Sequence, residues 1–149
     1  MTINPDLQGR SYPAGDVYSV GREAIRDFAR AVNATHPAHY DVDAAVALGH
    51  RDLVAPPTFA IVVAQRTDAQ LINDPGAGID FTRVVHADQR FTHHRAIIAG
   101  DELVAELHVD SVRAMGGGAM ITTRAEISTV EGAPVATSTS SILVRGEGQ

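Results

Sequence analysis

Two histidines three positions apart, His36 and His39, stand in a polar stretch and are the groups best suited to move a proton. An imidazole changes charge near working pH, so either ring can act as a general base or acid. The same pair could hold two positions of a metal, but no acidic or histidine partner follows at a defined spacing. Neither a metal site nor any other cofactor is therefore expected. His93 and His94 are adjacent, and on a strand they point to opposite faces, which rules out a simple chelating pair. His86, Asp88 and Gln89 fit the mouth of a pocket, with a role in strand pairing the simpler reading. Asp101 follows Gly100 and reads as a turn residue. The run Gly116-Gly-Gly118 lacks the lysine and the helix that follow in a phosphate loop, so it reads as a hairpin turn. No Ser-His-Asp arrangement or nucleophile-elbow sequence is present.

Something has to hold these groups, and the best candidate is a helix that begins at Pro56 and Pro57. Proline is tolerated in a first turn because the missing N–H has no intrahelical partner there. The run Phe59 to Ala64 is apolar on all sides, as in a helix buried inside a protein, and it breaks at Gln65, Arg66 and Asp68. That is far short of the roughly 20 apolar residues a bilayer requires. The helix is expected to run to about Ile72, ended by Asn73-Asp-Pro-Gly.

Ahead of it, Met1 to Tyr18 read as a turn-rich lead-in with a short edge strand near Tyr18. Arg22 to Val32 form an amphipathic helix, with Ile25, Phe28, Ala29 and Val32 on one stripe. Asn33 can end it in a left-handed conformation. A loop carries Pro37 and the two histidines. Asp43 then caps a short helix that closes at Gly49. From Arg83 the period changes to 2. Leu103, Ala105, Leu107 and Val109 alternate with Glu102, Glu106, His108 and Asp110, as in a strand with one wet face. Val84–His94, Ala119–Val130 and Pro134–Arg145 complete a four-stranded antiparallel meander, turning at Ala99-Gly-Asp101, Gly116–Gly118 and Glu131-Gly132. Helices first and strands after point to an α+β domain, read as one unit over residues 1–149.

Bulk properties narrow the function further. A net charge of −6 without a run of Lys or Arg argues against nucleic-acid and membrane-surface partners. The absence of cysteine excludes a disulfide framework and a thiolate metal site. The N-terminus has no basic-then-apolar signal, so a cytoplasmic protein is expected.

The stretch Phe28-Ala-Arg-Ala-Val-Asn-Ala-Thr-His-Pro-Ala-His-Tyr-Asp41 resembles the signature loop of MaoC-like (R)-specific enoyl-thioester hydratases and dehydratases. Three landmarks are similar to the smaller, N-terminal-type branch that includes subunits of heterodimeric 3-hydroxyacyl-thioester dehydratases. They are Ala55-Pro-Pro-Thr-Phe59, Val85-His-Ala-Asp-Gln89 and Ala99-Gly-Asp101. The resemblance implies a hot-dog fold, an antiparallel sheet wrapped around a long central helix. It also implies a dimer with an identical or a second hot-dog chain, joined edge to edge. The substrate would be a CoA- or acyl-carrier-protein-linked acyl thioester.

The family pattern is Gly-Asp-x-Asn-Pro-x-His, followed by His-Gly at the helix start. Asp and His form the acid/base pair, and the Gly N–H stabilises the enolate oxygen. In this chain Ala34 stands where the Asp belongs, His36 replaces the Asn, Pro37 is kept, and His39 falls on the catalytic His. Pro56 and Pro57 replace His-Gly, and proline has no N–H. The resemblance thus implies His39 as the catalytic residue, with His36, Ala55, Pro56, Pro57, Thr58 and Phe59 around the substrate. Losing one positioned acid/base group costs about 10²–10⁴-fold. The expectation is a dehydratase subunit that relies on a partner chain for the complete pair; the alternative is a non-catalytic acyl-thioester binding or regulatory module.

Overall fold

In a computed structural model the described residues are 3–146, so Met1 and Thr2 of the lead-in lie outside them. The lead-in supplies two short strands, β1 (Ser11–Tyr12) and β2 (Tyr18–Ser19). Three α-helices follow: α1 (Arg22–Ala31), α2 (Val42–Ala47) and α3 (Ala60–Ile72). Four long strands close the described chain: β3 (Val84–His93), β4 (Glu102–Met115), β5 (Gly118–Thr129) and β6 (Pro134–Val144). All belong to one antiparallel sheet in the order β1-β4-β5-β6-β3, and β2 also pairs with β4.

The order corrects one expectation. Only β4, β5 and β6 form a meander; β3 lies on the far side of β6 and does not pair with β4. The reason lies in the segment between β3 and β4. Its backbone is spent on the stretch before α3, with Ala55 N–H donating to Ile97 and Ala99 N–H to Leu53, both at 2.9 Å. It therefore cannot close a hairpin. β3 is left as a sheet edge, paired on one side with β6.

Helix α3 rests on the sheet through Ala60, Val63, Ala64, Thr67 and Leu71, all buried. Its front end joins a core cluster with Ile25, Leu53, Phe59, Ile97, Leu103, Ile127 and Val135. Its rear half joins a second cluster with Leu7, Leu107, Val109, Ile121, Ala125 and Val144. Phe59 is fully buried, which contributes roughly 1.5–3 kcal/mol. The helix is not enclosed on every side, as its apolar run suggested. Ile61 and Val62 are half-buried, Gln65 and Arg66 are exposed, and Ile72 is 48% exposed. A single curved sheet covers one face of a helix and leaves the opposite face open.

Smaller corrections concern helix ends. Val32 lies just past α1 and is exposed, because Asn33 at φ 58° has already turned the chain away. The cap of α2 is Asp41, whose carboxylate accepts from Asp43 N–H at 3.1 Å; Asp43 sits inside the first turn.

Candidate functional site

The His39 loop hangs from the end of α1. Asn33 adopts the left-handed conformation and Ala34 N–H returns to Ala29 at 2.8 Å, which stops the helix and reverses the chain. Residues Pro37–His39 form a single 3₁₀ turn. Its cap is His36, whose Nδ1 accepts from Ala38 N–H at 3.0 Å. The loop is then clipped back to α1. The Tyr40 hydroxyl donates to the Ala34 carbonyl, Arg26 Nε donates to the Tyr40 carbonyl at 3.1 Å, and the Arg30 guanidinium lies 5.7 Å over the Tyr40 ring.

His39 is half-buried, with Nδ1 2.6 Å from the Val54 carbonyl oxygen. A carbonyl only accepts, so Nδ1 carries the proton and, in the neutral ring, Nε2 is left with the lone pair. That is the atom able to take a proton from a bound molecule. Val54 braces the loop a second time, its N–H donating to Ala38 at 3.1 Å. His36 and His39 meet edge to face at 6.2 Å between ring centroids. Among the described residues no group of three or more His, Cys, Asp or Glu is placed to hold a metal ion.

The second half of an acid/base pair is not found beside His39 among the described residues. Ala34 has nothing to titrate, and the nearby carboxylates are engaged elsewhere. Asp41 caps α2, and Asp52 pairs with Arg22 at 2.8 Å. Hydrogen bonds from Arg22 hold the Asp52 carboxyl below the usual range.

At the entrance to α3, Pro57 has no N–H and the Phe59 N–H donates to Pro56 at 2.9 Å. The Pro57 carbonyl lies 2.7 Å from His93 Nε2, which makes that nitrogen the donor. Of the residues expected around a substrate, Pro57, Thr58 and His36 are exposed, whereas Ala55, Pro56 and Phe59 are buried. Phe59 packs edge-on against Phe28 at 5.4 Å and tilted against Tyr18 at 6.3 Å. Through Val54, the Ala55–Phe59 stretch is continuous with His39. His86 and Gln89 contact each other at 3.1 Å, and Gln89 donates to Ser138 at 2.7 Å, which ties β3 to β6 as the strand-pairing reading required.

Two clefts flank this framework. One of about 270 Å³ runs along α3, with Val63, Leu103 and Ala105 as an apolar floor and Tyr18 and Arg66 at its rim. The Arg66 guanidinium lies 4.7 Å over the Tyr18 ring. A larger one of about 1110 Å³ opens over the second core cluster, between Arg83, Val112, Val144 and Arg145, and neither cleft is lined by a residue of the His39 loop.

Sequence reasoning missed three groups. His93 was read only against His94, and its contact with Pro57 crosses from β3 to the helix start. Asp101 is buried and ion-paired with Arg51 and Arg95. Asp68 sits half-buried on α3, where burial pushes its carboxyl up to about 6. Asp68 is the one carboxylate in Ala60–Ile72, and that was the available signal for the last.

The family profile described as "FAS1-like, dehydratase domain region" matches residues 6–138. The chain belongs to that dehydratase-domain family. The FAS1-like chain is 54% identical over 147 residues to the UPF0336 protein Lxx02810 of Leifsonia xyli, covering 99% of both. It is also 33% identical to a chain of the C-terminally truncated HadBC (3R-hydroxyacyl-ACP dehydratase) complex of Mycobacterium tuberculosis. That match has a TM-score of 0.86 and covers 95% of this chain and 99% of the other. A solved MaoC-like dehydratase is 32% identical at a TM-score of 0.86, over 95% of this chain and 43% of that one. The fold is therefore the hot-dog fold, and the chain is of the hydratase/dehydratase-subunit type.

Proposed function

We propose that this chain is one subunit of a (3R)-hydroxyacyl-thioester dehydratase, equally an enoyl-thioester hydratase, acting on CoA- or carrier-protein-linked acyl chains. Residues 1–149 act as one hot-dog domain in the cytoplasm and pair with a second hot-dog chain, identical or merely similar. The observation that carries the reading is half of an acid/base site: His39 is oriented through Nδ1 and presents Nε2, while Ala34 occupies the place of a carboxylate. The likeness to a chain of a two-component 3R-hydroxyacyl-ACP dehydratase supports the division of labour.

In dehydration the C–H bond at the carbon next to the thioester carbonyl breaks and its electron pair forms the new double bond. The C–O bond at the next carbon breaks, and the hydroxyl leaves with a proton as water. His39 Nε2 is suited to hold one of these protons. The partner supplies the second acid/base group and the donors for the enolate oxygen, since Pro57 has no N–H and the Phe59 N–H is taken. The acyl chain follows the slot beside α3, whose apolar floor of Val63, Leu103 and Ala105 suits methylene groups. The unpaired side of β3 and the open face of α3 support pairing with another chain. No helix among the described residues is long and apolar enough to cross a membrane.

The test is co-expression with a hot-dog chain that supplies the carboxylate this chain lacks at Ala34. His39→Gln should lower kcat of the complex about 10²-fold or more, with KM little changed. Unchanged turnover by that variant would remove His39 from the chemistry. The missing N–H of Pro57 and the occupied N–H of Phe59 favour a second reading, an acyl-thioester binding or regulatory module without catalysis. That reading predicts long-chain acyl-CoA binding with no turnover by this chain's residues, even beside a complete partner.

A further inference from the structure

Asp101 carries more structure than a turn requires. Its side chain is 3% exposed and its two oxygens receive four N–H donors. Arg95 gives two, at 2.8 and 3.1 Å, Arg51 Nη2 gives one at 2.8 Å, and the Ile98 backbone N–H gives one at 2.8 Å. Burial pushes this carboxyl up, but the hydrogen bonds and charges of the two arginines and the Ile98 N–H outweigh it and hold it below the usual range.

These donors come from both rails of a short antiparallel ladder. Arg51 leads into Leu53–Ala55, while Arg95 and Ile98 belong to the opposite rail. Val54 and Ile98 face each other as an isolated bridge, flanked by the bonds from Ala55 to Ile97 and from Ala99 to Leu53. In such a pair the residue between the two bonds turns its own N–H and C=O outward, away from its partner strand. For Val54 these outward groups meet the His39 loop: the N–H goes to Ala38, and the carbonyl faces His39 Nδ1.

We propose that Asp101 is a positioning residue for His39: by clamping both rails of the 53–55/97–99 ladder it fixes the Val54 carbonyl that keeps the His39 proton on Nδ1. Its catalytic meaning rests on the dehydratase reading; the coupling itself does not. Without the carboxylate, two guanidinium groups face each other with no anion between them, and the buried Ile98 N–H loses its acceptor. The rails part, the Val54 carbonyl tilts, and the imidazole is free to carry its proton on either nitrogen. His39 then presents the wrong atom part of the time.

The experiment is long-range ¹H–¹⁵N correlation of the imidazole nitrogens in the full ¹⁵N-labelled chain, at a pH where His39 is neutral. Wild type is expected to show His39 as the Nδ1–H tautomer. Asp101→Asn should give a mixed tautomer signature. Arg51→Gln, which alters only an exposed arm of the clamp, should move the signals the same way by less, with Arg51→Lys restoring part of the shift. A folded Asp101→Asn variant that melts lower but keeps the wild-type His39 tautomer would overturn the proposal, since a purely structural role predicts that result. Should Asp101→Asn fail to fold, an unmoved tautomer in Arg51→Gln overturns it alone. In the complex with a complete partner, Asp101→Asn should lower kcat roughly 10–100-fold with KM unchanged. If His39→Gln leaves turnover intact while the tautomer still answers to Asp101, the dehydratase reading fails and the coupling stands.

Discussion

Two carboxylates show how differently the two ends of this fold are finished. Asp101 lies beside the ladder that braces the His39 loop and is met by four N–H donors, three from Arg51 and Arg95 and one from the Ile98 backbone, so its charge is welcome there. Asp68 lies on α3, has no hydrogen-bond or ion-pair partner among the described residues, and is driven toward its neutral form. The front of the molecule is thus braced from within: the groups that hold the His39 loop in place, at Ala34, Ala38, Tyr40 and Val54, find their partners in the same chain. The outer side of α3, with Ile61, Val62 and Ile72 incompletely covered, is not. A hot-dog chain that pairs with another is expected to look like this, self-sufficient where it positions a side chain and unfinished where its neighbour will sit.

The contrast can be broken by substitution. The largest effect is expected from Asp101→Ala, which should cost about 3 kcal/mol at neutral pH because it strands buried donors and two cations, read as a lowered chemical-denaturation midpoint. Asp101 has a depressed folded pKa, so its contribution is present above the unfolded value near 3.8 and disappears as pH falls through the lower folded value. Asp68 should behave in the opposite sense. Its folded pKa is raised from 3.8 to about 6, so the folded state binds the extra proton and the isolated chain loses stability as pH rises across that window. Asp68→Asn should therefore be more stable than wild type by roughly 1–3 kcal/mol at pH 7.5, an advantage gone by about pH 4. A penalty at pH 7.5 would mean that Asp68 has a partner of its own and the contrast is false. Arg51→Gln should change the melting midpoint least, by no more than about 1 kcal/mol, because its side chain is 69% exposed.

How much of this was readable beforehand follows from how local each feature is. The alternation from Leu103 to Val109 showed in the sequence because β4 buries one face and wets the other. The left-handed Asn33 is a local backbone preference and appears where the sequence places it, whereas the helix expected from Pro56 and Pro57 starts as a 3₁₀ turn at Pro57–Phe59 and becomes α-helical only at Ala60. The position of β3 was not readable, because Ala96-Ile-Ile-Ala99 looks like any apolar stretch until Leu53–Ala55 is brought against it. Asp101 reads only as a turn residue in the sequence for the same reason: Arg51 is fifty positions away along the chain. The cap of α2 lies two residues before the Asp43 that the sequence suggests, since Asp41 and Asp43 are chemically alike and only the backbone angles separate them. In the candidate site, His39 could be named from the resemblance; the acceptor that orients it, Val54, offers only a backbone carbonyl, which no side-chain pattern announces.

The central claim is that this chain holds half of a dehydratase site, and crotonyl-CoA hydration tests it most directly. Purified alone, the protein should show turnover at least about 10²-fold below that of the complex it forms with a hot-dog chain that supplies the missing carboxylate. Turnover by the lone protein as fast as that of the complex would contradict the account.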